Sequence, residues 1–208
     1  MKITSVKVYK GTTYEVETDN EKKFYLHADI IADFGISKGM EIDRPELRKI
    51  IYASNFRRAY HYALYCLDYR DYSSAEMNQK LIKTYKNENL CCAVVQKLED
   101  SGIISDERYA EKLAHRYVEG RKYGFRRAKR EIIMKGISEY MAEDSLQPYA
   151  EIFQENIRYL IQTKYARMLT DEDDRKSIEK VRNSLVRNSY GFEEINRAVK
   201  EYFDNQEG

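Results

Sequence analysis

The apolar residues of this chain change their spacing once, near residue 55, and that change limits the fold more than any other feature. From Lys2 to Ala28 they alternate: Val6 and Val8, then Tyr14 and Val16, then Phe24 and Leu26, with an Asp19-Asn20 turn between the last two runs. A period of two belongs to half-buried strands, so three short strands are predicted. Ala28 to Phe34 reads as a short helix closed by Gly35, and Asp43 with Pro45 opens another through Ile51. Beyond residue 55 the spacing becomes three and four, no strand pattern returns, and Pro148 is the one proline left. The pattern predicts a small mixed N-terminal domain, 1–55, followed by a helical remainder.

That remainder divides into trios of helices. Phe56, Ala59, Tyr60, Ala63, Leu64 and Leu67 form one stripe, Met77, Leu81 and Tyr85 a second, and Leu90, Val94 and Leu98 a third, with Gly102 as a left-handed stop. A second trio uses Tyr109, Leu113 and Tyr117, then Phe125, Ala128 and Ile132, then a short helix from Ser138 to Leu146 after Gly136. Pro148 separates it from a third, carried by Phe153, Ile157, Leu160 and Ile161, by Ile178, Val181 and Leu185, and by Phe192, Ile195 and Val199. Leu81, Ile132 and Leu185 then fall in register at a spacing of about fifty residues. The predicted fold is mainly α: tandem three-helix repeats at 56–104, 105–148 and 149–208 in an elongated array.

The sequence argues against an enzyme. It lacks a phosphate-binding G-x-x-x-x-G-K-[ST], a G-x-G-x-x-G fingerprint, H-E-x-x-H and G-x-S-x-G. His27, His61 and His115 stand far apart, and Cys66, Cys91 and Cys92 lack a C-x-x-C spacing, so no metal, cofactor or catalytic residue is expected and the thiols read as reduced and buried. The N-terminal MKITSVKVYK has no apolar core of the kind a signal peptide needs, and no later stretch approaches a membrane span, so a soluble cytoplasmic protein is expected. Ser73-Ser74-Ala75-Glu76 matches a capping box, a structural role.

Charge is segregated. Between Arg121 and Lys135, seven cations stand against Glu131 alone, a net of +6, whereas the whole chain carries only +1. On a helical projection Arg126, Arg127 and Arg130 lie opposite Phe125, Ala128 and Ile132, so the basic face should point outward. Arg126 and Arg130 are four apart and repel by roughly 0.2 to 0.5 kcal/mol, which an anionic partner would relieve. The alternative is a solvated helix face. A weaker basic stretch, Arg175, Lys176, Lys180, Arg182 and Arg187, occupies the corresponding helix of the third trio.

Two blocks carry a family resemblance. L-D-Y-R-D-Y-S-S-A-E-M-N-Q-K-L, from Leu67 to Leu81, and L-E-D-S-G-I-I-S-D-E-R-Y-A, from Leu98 to Ala110, resemble conserved-order patterns of the RecX family, continued by Arg121, Gly124 and Lys135-Gly136-Ile137. The resemblance covers the first two repeats closely and the third in helix pattern only. It implies a non-enzymatic regulator, acting in DNA repair, recombination and the SOS response, that lodges in the groove of the RecA filament and inhibits ATP hydrolysis and strand exchange. Arg121, Lys122, Arg126, Arg127, Lys129 and Arg130 are then the expected contacts to RecA or to DNA phosphate, and the protein is expected to be a monomer. Arg70 and Arg108 are motif positions that either join this set or pin helix ends. Two rivals stand beside this reading: a sequence-specific DNA-binding protein using helix, Gly136 turn and helix, and a general helical scaffold. Glu139, Glu143 and Asp144 oppose the first, because they would place carboxylates against phosphates.

Overall fold

A computed structural model describes residues 1–206, which fall into two compact units: residues 1–70 with 77–101, and residues 71–76 with those from Gly102 onward.

The first unit begins with an antiparallel sheet of β1 (Ile3–Lys10), β2 (Thr13–Thr18) and β3 (Lys23–His27) in that order. Val6 pairs with Val16 and Val16 with Phe24, the register that the alternation requires. His27 ends the sheet and starts α1 (Ala28–Asp33), its Nδ1 accepting the Asp29 amide at 3.2 Å. Asp43 caps α2 (Arg44–Tyr69) by accepting the Glu46 amide at 2.7 Å, with Pro45 in the first turn. Ile3, Val16, Leu26, Ile30, Ile36, Ile42 and Ile50 close the core beneath the sheet.

The helix opened by Pro45 does not stop at Ile51; it runs on for 26 residues through Asn55 to Tyr69. What changes near residue 55 is the buried side. Leu47 and Ile50 face the sheet core, whereas Ala59, Ala63 and Cys66 are buried half a turn round, where small side chains let α2 lie close to α4 (Glu88–Asp100). An unbroken helix that swaps faces looks, in sequence, like two short helices. Asn55→Pro should therefore cost roughly 3 kcal/mol or more in chemical denaturation, because it removes an interior hydrogen bond and clashes with the preceding turn. A loss below about 1 kcal/mol would mean that the helix is already interrupted there.

α3 (Ser74–Tyr85) buries Met77 and Leu81, and α4 buries Leu90, Val94 and Leu98. Cys66 and Cys91 are buried, but Cys92 is exposed, beside Asn78, contrary to the expectation of three buried thiols.

The second unit holds α5 (Asp106–His115), α6 (Phe125–Ile133), α7 (Glu139–Leu146), α8 (Ala150–Leu160), α9 (Arg175–Arg187) and α10 (Phe192–Asp204). Tyr109, Leu113, Val118, Ala128, Ile132, Ile137 and Leu146 make one core, and Ile157, Ile161, Leu169, Val181, Leu185, Ile195 and Phe203 another. Pro148 does not break the chain between them; it sits in the single tight turn Gln147–Tyr149 that leads straight into α8. Phe153, expected with the third trio, packs into the first of these cores instead.

α5 and α8 each end in a widened π turn, Arg116–Gly120 and Ile161–Tyr165. At the first of these, the buried Asn156 of α8 donates its side-chain amide to the Val118 carbonyl at 2.9 Å. Asn156→Leu leaves that carbonyl without its partner and should cost about 1 to 3 kcal/mol. Unchanged denaturation would show that the bond contributes nothing net.

Candidate partner-binding surface

The basic segment is held in place from below. Lys122 takes a left-handed conformation, φ 54°, and its carbonyl accepts the Tyr190 hydroxyl at 2.9 Å. Gly124, the residue before α6, donates its amide to the Asn188 carbonyl at 2.8 Å. A Cβ on Gly124 would lie 2.5 Å from the Ser189 carbonyl oxygen, so only glycine allows this approach of two backbones. Tyr123 stacks on Tyr117, with ring centroids 5.9 Å apart.

Two of the arginines and lysines expected to face a partner are committed inside the fold. Arg127 covers the Tyr123 ring at 3.8 Å and donates to Asn188 Oδ1 at 2.7 Å and the Arg187 carbonyl at 3.3 Å, at the C-terminal end of α9. A guanidinium is favoured there by the carbonyls that end a helix and by the aromatic face. The projection that placed Arg127 outward could not register the neighbouring helix end. Lys129 is paired with Glu139 at 2.6 Å and with Glu143 at 2.5 Å. Hydrogen bonds that Lys129 donates to Glu139 and then to Glu143 hold its ammonium above its ordinary pKa, and the same lysine lowers that of Glu139. Lys135 meets Glu76 at 3.3 Å. Lys122 lies 5.2 Å from the Tyr159 ring centroid.

Arg121, Arg126 and Arg130 remain exposed, and among the described residues their side chains have no ion pair or hydrogen bond. Phe125, expected to be buried opposite them, is instead 39% exposed at the first position of α6. Arg108 donates to the Gly102 carbonyl at 2.6 Å, which pins the stop after α4. Arg70 is exposed at the C-terminal end of α2, in the other unit.

The two sequence blocks that carry the family resemblance meet one another. Ser73 Oγ accepts the Glu76 amide at 3.0 Å, as a capping box requires, and also donates to the Lys135 carbonyl. The Ser74 amide reaches Asp106 at 2.8 Å, Lys112 reaches Asp71 at 3.0 Å, and the Tyr109 hydroxyl reaches Glu76 at 3.5 Å. Gly136, at φ 83°, lies so close to Ala75 that an added Cβ would approach its methyl to 2.6 Å. The capping box was readable; its second task, gripping the Lys135-Gly136 turn some sixty residues on, was not.

A helical fold that presents exposed, unpaired cations on a braced helix is suited to binding an anionic surface. Residues 105–146 match the family described as RecX, second three-helix domain. Over 96% of its length the chain is 26% identical to regulatory protein RecX of Bacillus velezensis, covering 76% of that protein. It is 24% identical to regulatory protein RecX of Clostridioides difficile, over 99% of this chain and 97% of that one. A crystal structure of regulatory protein RecX superposes with a TM-score of 0.75 at 21% identity, over 96% of this chain and 98% of that one. RecX from Lactobacillus salivarius superposes with a TM-score of 0.65 at 25% identity, over 72% and 97%. Along nearly its whole length the chain is thus similar to the regulatory proteins of the RecX family, and residues 105–146 match that family's second three-helix domain. Among the described residues no helix is long and apolar enough to cross a membrane.

Proposed function

We propose that this protein acts in the cytoplasm, as a monomer, by binding the RecA filament and restraining its ATP hydrolysis and strand exchange. The observation that carries this reading is the trio Arg121, Arg126 and Arg130, exposed and without acidic partners among the described residues, on a segment braced by Gly124, Arg127 and Tyr190. The brace fixes the backbone that carries these cations, so binding an anionic surface requires ordering their side chains but not the segment itself. In this reading the boundary near residue 55 is a change of buried face within α2 rather than a break, and the helical remainder acts as tandem repeats, 56–104, 105–148 and 149–208, that touch successive protomers.

The DNA-binding rival is weakened by the same geometry. Its recognition helix would be α7, where Glu139 and Glu143 neutralise Lys129 rather than leaving that cation for phosphate. The test is fluorescence anisotropy of the labelled protein titrated with RecA filaments and, separately, with a bare single-stranded oligonucleotide across a range of salt. Filament binding far tighter than oligonucleotide binding supports the reading. Equal affinities, with a steep fall in salt for both, would replace it with a DNA-binding protein.

A further inference from the structure

Beside the exposed arginines the second unit carries an open groove of about 780 Å³, lined by residues of α6, α8, α9 and α10. Its lining is mixed, with Gln147, Gln154 and Ser189 beside a set of bulky apolar side chains. Phe125 meets Phe153 edge to face at 5.9 Å, and Phe125, Val186 and Phe192 stay 39%, 45% and 61% exposed. Three bulky apolar side chains from three elements turned to one groove are unlike singly scattered surface residues, and mark a place where another molecule sits.

The charges in the groove say which kind of molecule. Arg126 lines it and, among the described residues, has no partner for its guanidinium. Glu194 lines it as well and keeps its charge, but its carboxylate accepts the Gly191 amide at 2.9 Å in the cap of α10 and makes no ion pair with Arg126. The groove therefore offers a guanidinium with its hydrogen-bond donors free beside aromatic and aliphatic side chains. We infer that it receives a protein segment in which a carboxylate stands next to a bulky apolar side chain, the carboxylate meeting Arg126 and the apolar group filling the space between Phe125, Val186 and Phe192. Nucleic acid fits less well. A phosphate backbone gains nothing from those apolar side chains, and the tilted Phe125–Phe153 pair with Val186 is no flat platform for bases.

This inference rests on the filament-binding reading and deepens it: the cations of α6 act next to an apolar anchor, so the contact is with RecA protein rather than with DNA. Phe192→Asp tests it in the full chain. Phe192 is exposed and opens α10, where a carboxylate suits the helix dipole, so the fold should persist by circular dichroism. Val186→Ser, which adds no charge, is the second variant. Each should bind RecA filaments about tenfold more weakly than wild type, and in the uncharged Val186→Ser the dependence on salt and the binding to a dT oligonucleotide should be unchanged. Filament binding equal to wild type in both folded variants would overturn the inference while leaving the filament reading in place. A parallel loss of oligonucleotide binding in Val186→Ser would overturn it in favour of a nucleobase guest. Absence of filament binding by the wild-type protein would instead remove the reading on which the inference rests, and the inference with it.

Discussion

Gly124→Ala should destabilise the second unit by about 2 to 4 kcal/mol, since an overpacked backbone contact and a lost hydrogen bond add. The added methyl would meet the Ser189 carbonyl at 2.5 Å, and a main-chain oxygen in a turn cannot rotate aside as a side chain can. Relief requires pulling the start of α6 from the turn after α9, which strains the Gly124 to Asn188 bond of 2.8 Å and the Arg127 contacts beside it. The corresponding fall in thermal midpoint is roughly 5 to 15 °C. Because the same brace orients Arg126 and Arg130, filament binding should weaken as well, although no cation has been altered. A midpoint within a degree of wild type would show that the two backbones separate at little cost and that α6 is not braced.

Arg126→Glu with Arg130→Glu should have the opposite profile: little change in stability and a large loss of binding. Both side chains are exposed, and the reversal exchanges one like-charged pair four residues apart for another, so helix stability moves by only a few tenths of a kcal/mol. At the partner, two attractive contacts become repulsive, worth about 3 kcal/mol or more in total, or about a hundredfold in affinity. Filament affinity measured against salt separates the sources of that loss. A shallower slope than wild type indicates phosphate contacts, whereas a uniform drop with bare oligonucleotide binding unchanged indicates acidic groups of RecA. Unchanged affinity in a folded double variant would leave this face merely solvated. Arg127→Ala makes a useful contrast. It removes a guanidinium stacked on Tyr123 and bound to Asn188, so its effect should appear first in stability.

The sequence revealed the elements better than their relations. Alternation between Val6 and Leu26 placed the three strands, and the three-and-four spacing of Tyr109, Ala128 and Val181 placed helices whose buried faces match the cores. α2 was read as two helices because periodicity reports which side is buried, not whether the backbone is continuous. The basic face was overestimated for a similar reason. A projection of α6 alone knows nothing of Glu139 and Glu143 on α7, or of the end of α9 that draws Arg127 inward. Arg126 and Arg130 survive because, among the described residues, no carboxylate comes within ion-pair distance of either guanidinium. Ser73, Glu76, Asp106, Lys135 and Gly136 carried a family resemblance without revealing that they bind one another, since sequence order says nothing about which loops meet. The groove by Phe125 left no trace either: its lining comes from four helices, and each apolar residue alone passes for core.

The central claim is that this chain, as proposed, restrains RecA by binding, without chemistry of its own. The most direct measurement is ATP hydrolysis by RecA on single-stranded DNA, followed while the purified wild-type protein is added. The expected result is a dose-dependent fall in RecA turnover, abolished or strongly reduced with the Arg126→Glu, Arg130→Glu double variant, and no hydrolysis by the protein alone. Undiminished RecA turnover at saturating wild-type protein would contradict the claim.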